Sequence, residues 1–349
     1  MSEQIKPKSR NDRAWEALFE KYDILSHIES HGKFIISASQ IKEYREPRLM
    51  AKFDHIINLP HIFAKNQIAI LPVSRGDYML SRFKAYQPFE GKNKSITRIC
   101  LPANLQSLNA NHIPSEAIAI NCALASGMLA DFLEEEVLYA TVSGRMGSGR
   151  FDFYIQNSLT KAPMTVSVNN SQIEIDAAFE GAYSLSLLEA KRDLSEDFLV
   201  RQLYYPYRAW KDRVSKKVRP VFLVYSNGIF SLYEYEFQDP DSYNSLVLLK
   251  HKNYSIDDTK ITLSDLQPPY ENGFYAGCAN DCRDYAEGGP LQGWEYEHIC
   301  AALIHNQRVD KLDVWINRVI FHTASIFVIF SIGMIFIRKK ITAISCSKK

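Results

Sequence analysis

The sequence predicts an α/β (α+β) chain: a mixed central β-sheet flanked by helices, preceded by a winged-helix-like module and followed by an apolar helix. Three observations lead there. Apolar residues recur at helical spacing near both the start and residue 115. From IEID to LYEYEF the chain runs in short alternating or apolar segments divided by Gly and Asn turns. A helical stretch with Gln202 separates two of those segments.

Composition bounds the rest. With 349 residues, 46% hydrophobic and 23% charged, the chain can build one large core or two ordinary ones. Forty-one Lys and Arg against 40 Asp and Glu leave a net charge of +1, so overall charge points to no polyanionic or membrane-surface partner. The polar opening MSEQIKPKSRNDRAWEALF has no apolar h-region, so no cleaved secretory signal is expected. Six Cys are too sparse for a disulfide scaffold, and a reducing cytoplasm fits them.

In chain order, RAWEALFEKYDILSHIES places Trp15, Leu18, Phe19, Tyr22, Ile24 and Leu25 near one helical face. A short helix around Ser39 to Tyr44, a break before Pro47 and a second helical stretch ending at Pro60 follow. AILPVSRGDYMLSRF predicts a strand, a turn at Arg75-Gly76-Asp77 and a returning strand. Helices followed by a basic hairpin suggest the winged-helix-like module of residues 1–110, with Arg45, Arg48, Lys52, Arg75 and Arg82 as its phosphate contacts. A solvated surface face explains the same charges.

A second unit, residues 111–265, opens with SEAIAINCALASGMLADFLEEE, a core helix with Ser115 as N-cap. VLYATVSGRMGSGRFDFYIQ then predicts a hairpin; its turn lacks the G-x-x-x-x-G-K-[ST] of a phosphate loop, though Arg145 and Arg150 can touch a nucleic-acid backbone. IEID alternates, putting Glu174 and Asp176 on one face, while SLSLLEAK puts Leu185, Leu187, Glu189 and Lys191 on a common face. Burying such a carboxylate and lysine is costly without compensating charge. Asp176 and Glu189, joined by a hairpin-length connection, can converge on one hard cation, with the carbonyl of Ala190 as a further ligand and Mg²⁺ as the natural occupant. A strand end in solvent and a surface ion pair explain the same residues more plainly.

RDLSEDFLVRQLYYPYRAWKDRVSKKVRP adds a helix with Phe198, Leu199, Gln202 and Leu203, then a basic run including Arg201, Arg208, Lys211, Arg213, Lys216, Lys217 and Arg219. VFLVYSNGIFSLYEYEF supplies two strands around Asn227-Gly228. That order, with IEID, LLEAK and RQLYYPYR, resembles the PD-(D/E)XK nuclease superfamily, and more narrowly its type II restriction endonucleases, over roughly residues 30–260. Ile175 stands where the superfamily's name has Pro.

The resemblance implies a restriction-endonuclease-like sheet and Mg²⁺-dependent hydrolysis of duplex DNA. Asp176 and Glu189 would be metal ligands, Lys191 would orient or polarise the attacking water, and Gln202 would be accessory. Glu180 is a further candidate ligand. The basic run and the N-terminal arginines then become phosphate contacts. A cognate DNA methyltransferase and a homodimer belong to the same expectation. A non-catalytic DNA-binding protein that kept the fold is the alternative.

The end of the chain is of another kind. Residues 319–337, VIFHTASIFVIFSIGMIFI, carry no charge, and nineteen residues at about 1.5 Å each nearly span a hydrocarbon core of about 30 Å. They predict a transmembrane helix, with Arg338, Lys339 and Lys340 favouring a cytoplasmic C-terminus. Residues 266–310, rich in Gly, Cys and Pro, change character before it. A membrane tether, a tail-anchored protein with an unrelated cytosolic domain, and a departed reading frame after about residue 265 each account for this tail.

Overall fold

The computed structural model describes residues 8–90, 95–192 and 195–257. The small N-terminal layer is built from α1 (Arg10–Lys21), α2 (Ile24–His31), β1 (Phe34–Ser37), α3 (Ala38–Lys42), α4 (Pro47–Met50), a 3₁₀ turn (Ile56–Asn58), α5 (His61–Asn66), β2 (Ala69–Pro72) and β3 (Asp77–Ser81). Ser9 and Asp12 cap α1 reciprocally, and Ser37 and Gln40 do the same for α3. The three strands form an antiparallel sheet in the order β1-β3-β2. Its core is aromatic: Trp15 lies edge-on to Phe63, which meets Phe53, and the indole N–H donates to the carbonyl of Met50 at 2.9 Å. The predicted second helix does not continue to Pro60. After α4 residues 52–54 belong to no helix or strand, and Pro60 instead precedes α5.

The larger part follows as β4 (Tyr86–Pro88), β5 (Ile96–Ile99), α6 (Glu116–Ala125), α7 (Met128–Leu133), β6 (Tyr139–Gly147), β7 (Arg150–Gln156), β8 (Pro163–Asn169), β9 (Gln172–Glu180), β10 (Ser184–Lys191), β11 (Asp197–Leu199), α8 (Arg201–Trp210), β12 (Lys217–Ser226), β13 (Ile229–Phe237) and β14 (Leu246–Ile256). A seven-stranded mixed sheet runs β5-β14-β13-β12-β10-β9-β6. Strand β10 is antiparallel to β9 and parallel to β12, so α8 lies on the crossover between β10 and β12. β4 pairs with β11 and β5 with β14, so the chain joins the large part well before residue 110.

Two apolar layers cover the sheet. Leu185, Leu187, Phe222 and Tyr235 pack with α8 through Leu203, Tyr204 and Tyr205. Leu188, Ala190, Val221 and Leu223 pack with α6 and α7 through Ala119, Cys122, Leu129 and Phe132. Ser115 caps α6, and Gly127, at φ +78°, divides the predicted single helix into two. The Asn227-Gly228 turn has both residues at positive φ, as a two-residue hairpin requires.

Two expectations are corrected. The strands flanking GRMGSGR do not form a hairpin: β6 pairs with β9 and β7 with β8. Phe198 and Leu199 extend as β11 against β4 rather than starting the helix, which begins only at Arg201. Among the described residues no helix is long and apolar enough to cross a membrane. Residues 266–310 and 319–337 lie outside those described.

Candidate active site

The geometry originates in the β9–β10 hairpin. Their ladder pairs Leu185 with Glu180 through to Leu188 with Ala177, so the next opposed residues are Glu189 and Asp176. Here the strands part. The Oδ2 of Asp176 takes over as acceptor for the Ala190 N–H at 2.8 Å, holding its carboxylate against the residue that follows Glu189. In an extended strand a residue's N–H and C=O leave on the same side, so the Ala190 carbonyl also faces this gap.

A bulge aims Asp176. Between the pairs Val142–Ala178 and Gly144–Ile175, β6 supplies one residue and β9 two, Asp176 and Ala177. The alternation of β9 therefore slips. Ile173, Ile175 and Ala178 join the core beneath α8, whereas Ala177 and Phe179 join that beneath α6 and α7. Asp176 is thus released from the exposed face of Glu174, correcting the unbroken alternation that the sequence suggests.

Glu189 is buried in the middle of this arrangement. Its Oε1 accepts from Lys191 Nζ at 2.5 Å and from Gln202 Nε2 at 2.5 Å, while the Gln202 Oε1 is buried without a partner. Gln202 stands in the first turn of α8, which is how the crossover helix reaches the strand. Burial raises the Glu189 carboxyl to about 7, with Lys191 pulling it back and Asp176 repelling. Burial opposes the charge on Lys191, but Glu189 and Asp54 outweigh it and hold the amine above its ordinary value. Both shifts describe a dry pair: the ammonium persists, and the carboxylate is the group within reach of a proton near neutrality.

Two carboxylates that sequence reasoning missed complete the surroundings. Glu116 opens α6 and is brought to the end of β10 by the Arg192 guanidinium, which donates to the Pro114 carbonyl. Its carboxyl is raised by burial, Lys191 opposing and Asp176 repelling. Asp54 arrives from the irregular segment after α4, with Oδ2 3.8 Å from Lys191 Nζ. Ser115 as a helix cap is a signal for Glu116; FDHIINL carries none for Asp54.

The remaining candidates scatter. Glu180 sits at the hairpin's far end, bound by Lys216 at 2.7 Å, so the strand keeps it from Asp176 and it is no ligand of the same ion. Arg208 is 9% exposed, donates to the Pro240 carbonyl at 2.8 Å and pairs with Asp241, and Arg219 makes two 2.7 Å bonds to Glu234 and a third to the Leu133 carbonyl. Both are interior groups rather than phosphate contacts. Lys216 is tied to Glu180 and Gly181, Lys217 pairs with Glu236, Arg145 with Glu174, and Arg150 donates to Asn169. Arg45 donates to Asn11, whereas Arg48, Lys52 and Arg75 are exposed.

Among the described residues no three His, Cys, Asp or Glu side chains form a ready-made cage for a metal ion. Two carboxylates and a main-chain carbonyl, completed by water, are nevertheless a donor set that suits Mg²⁺.

Residues 81–255 match a family described as "Domain of unknown function (DUF6997)", and residues 12–80 match a second, "Domain of unknown function (DUF6996)". No curated protein matches the chain.

Proposed function

Since the chain belongs to the DUF6997 family, whose description assigns no activity, we propose a function from the site itself: a Mg²⁺-dependent DNA endonuclease of the PD-(D/E)XK type, resembling type II restriction enzymes. The observation that carries this reading is the meeting of Asp176, Glu189, Lys191 and Gln202 where β9 and β10 part. The order around it supports the same reading: a helix, three antiparallel strands β6, β9 and β10, a crossover helix, and the parallel strand β12. The N-terminal sheet β1-β3-β2, with its β2–β3 hairpin, supports a winged-helix-like module.

The donor set fits the metal. Asp176, Glu189 and the Ala190 carbonyl would hold Mg²⁺, and the unpartnered buried oxygens of Gln202 and Asp54 leave acceptor capacity in the site. When bound, the ion supplies Lewis acidity and a template for in-line displacement at phosphorus. The protein's own groups do the rest. Gln202 fixes the rotamer of Glu189, whose proton must leave before it can ligate. Lys191, held as the ammonium by Glu189 and Asp54, would orient a water or stabilise charge on a phosphate oxygen. Arg48, Lys52 and Arg75 are exposed cations available to a duplex.

The test is cleavage of varied duplex DNA by the full chain with and without Mg²⁺. Replacing Glu189 or Lys191 by Ala should abolish cleavage while affinity for duplex in Ca²⁺ stays within about threefold. Variants that lost folding and binding together would make the ion pair structural and the proposal untenable.

A further inference from the structure

Resting on that reading, we infer that Asp54 is a positioning residue for Lys191, so that the N-terminal module and the large sheet build one active site between them. The ammonium of Lys191 has two carboxylate partners, Glu189 at 2.5 Å and Asp54 at 3.8 Å. The first cannot serve both ends of the chemistry. Once the oxygens of Glu189 are given to a cation, their pull on Lys191 falls and the cation itself repels the ammonium. Asp54 is the carboxylate that remains to hold Nζ over the reacting centre.

Its own construction suits that task. The side chain is 18% exposed, and Oδ1 is buried without a hydrogen-bond partner. An idle buried carboxylate oxygen is unfavourable in a purely structural role. As a second acceptor toward which Lys191 can swing, it has a use. The backbone beneath it is fastened at four points: Tyr86 Oη donates to the Phe53 carbonyl at 2.8 Å, Leu199 N–H to the Asp54 carbonyl at 2.9 Å, His55 Nδ1 lies 2.5 Å from the Asp197 carbonyl, and Ile56 N–H donates to Asp197 Oδ1 at 3.0 Å. All four partners belong to β4 or β11, so the segment is fixed to the large part at the strand that leads into α8 and Gln202. Because none of these bonds uses the Asp54 carboxylate, replacing it leaves the anchoring intact.

The experiment uses the full chain with Asp54→Asn, Asp54→Glu and Lys191→Met. Single-turnover cleavage by D54N at saturating DNA should slow by about ten- to hundredfold, with the Mg²⁺ concentration for half-maximal rate and the duplex affinity in Ca²⁺ each within about twofold of wild type. D54E should recover part of the rate, since a longer carboxylate still reaches the ammonium. Urea midpoints of metal-free D54N, K191M and the double variant should be non-additive, a readout that needs no activity. Wild-type cleavage rates in D54N, a raised Mg²⁺ requirement that would make Asp54 a ligand instead, or additive midpoints would each overturn the inference. A wild-type chain that cleaves no duplex would remove the proposed nuclease, and the urea cycle alone would then decide whether Asp54 holds Lys191.

Discussion

Replacing Glu189 by Gln offers the most direct reading of how dry this site is. Glu189 is raised from an ordinary 4.5 to about 7, a difference of about 2.5 units, and one unit corresponds to about 1.36 kcal/mol. A carboxyl whose folded value lies above its unfolded value favours folding most fully below pH 4.5 and loses that contribution as pH rises through about 7. Metal-free wild-type protein should therefore lose up to about 3 kcal/mol between pH 4.5 and 7.5 through this residue, and Glu189→Gln should not. The amide alters packing and leaves Lys191 with Asp54 alone, but those effects are present at both pH values. They cancel when the mutant-minus-wild-type difference is compared across the range. Urea unfolding followed by fluorescence in EDTA, at half-unit pH steps, measures it. Profiles that run parallel within about 0.5 kcal/mol would refute the argument, because an ordinary, solvated Glu189 could not be the buried partner of Lys191 and Gln202.

Three further outcomes follow from the same structure. Arg219→Ala should destabilise by about 3–5 kcal/mol in thermal or urea unfolding, because it strands the buried carboxylate of Glu234; a weakened duplex affinity at unchanged stability would return Arg219 to the DNA surface. Gly181→Ala should lower stability by about 1–3 kcal/mol, since a Cβ there would come within 2.3 Å of the Glu135 carboxyl that caps the β9–β10 turn through Ala182, Tyr183 and Ser184; an unchanged melting temperature would contradict the packing. Arg48, Lys52 and Arg75 changed together to Ala should weaken duplex binding and flatten its salt dependence by about 0.9 for each phosphate no longer neutralised, with circular dichroism unchanged; an unaltered salt slope would show that the duplex lies elsewhere.

What the sequence by itself determined is what local pattern encodes. Period-two alternation in SLSLLEAK puts Glu189 and Lys191 on one face, a turn of three residues returns β10 beside β9, and Asn227-Gly228 sets the β12–β13 hairpin. These are properties of neighbours in the chain, and residues a few positions apart are enough to specify them. The tertiary structure decided the rest. Asp176 leaves the face of Glu174 because β9 bulges against β6, a mismatch visible only once thirty-odd intervening residues have folded and the two strands are in register. Arg208 and Arg219 read as surface charge in a basic run, yet carboxylates and carbonyls distant in sequence enclose them. Asp54 lies in a stretch with no periodicity, and only hydrogen bonds to residues distant in sequence, Tyr86, Asp197 and Leu199, bring it beside Lys191. A site built where two strands part depends on long-range register and on desolvation by other elements, and neither quantity exists in the chain until it folds.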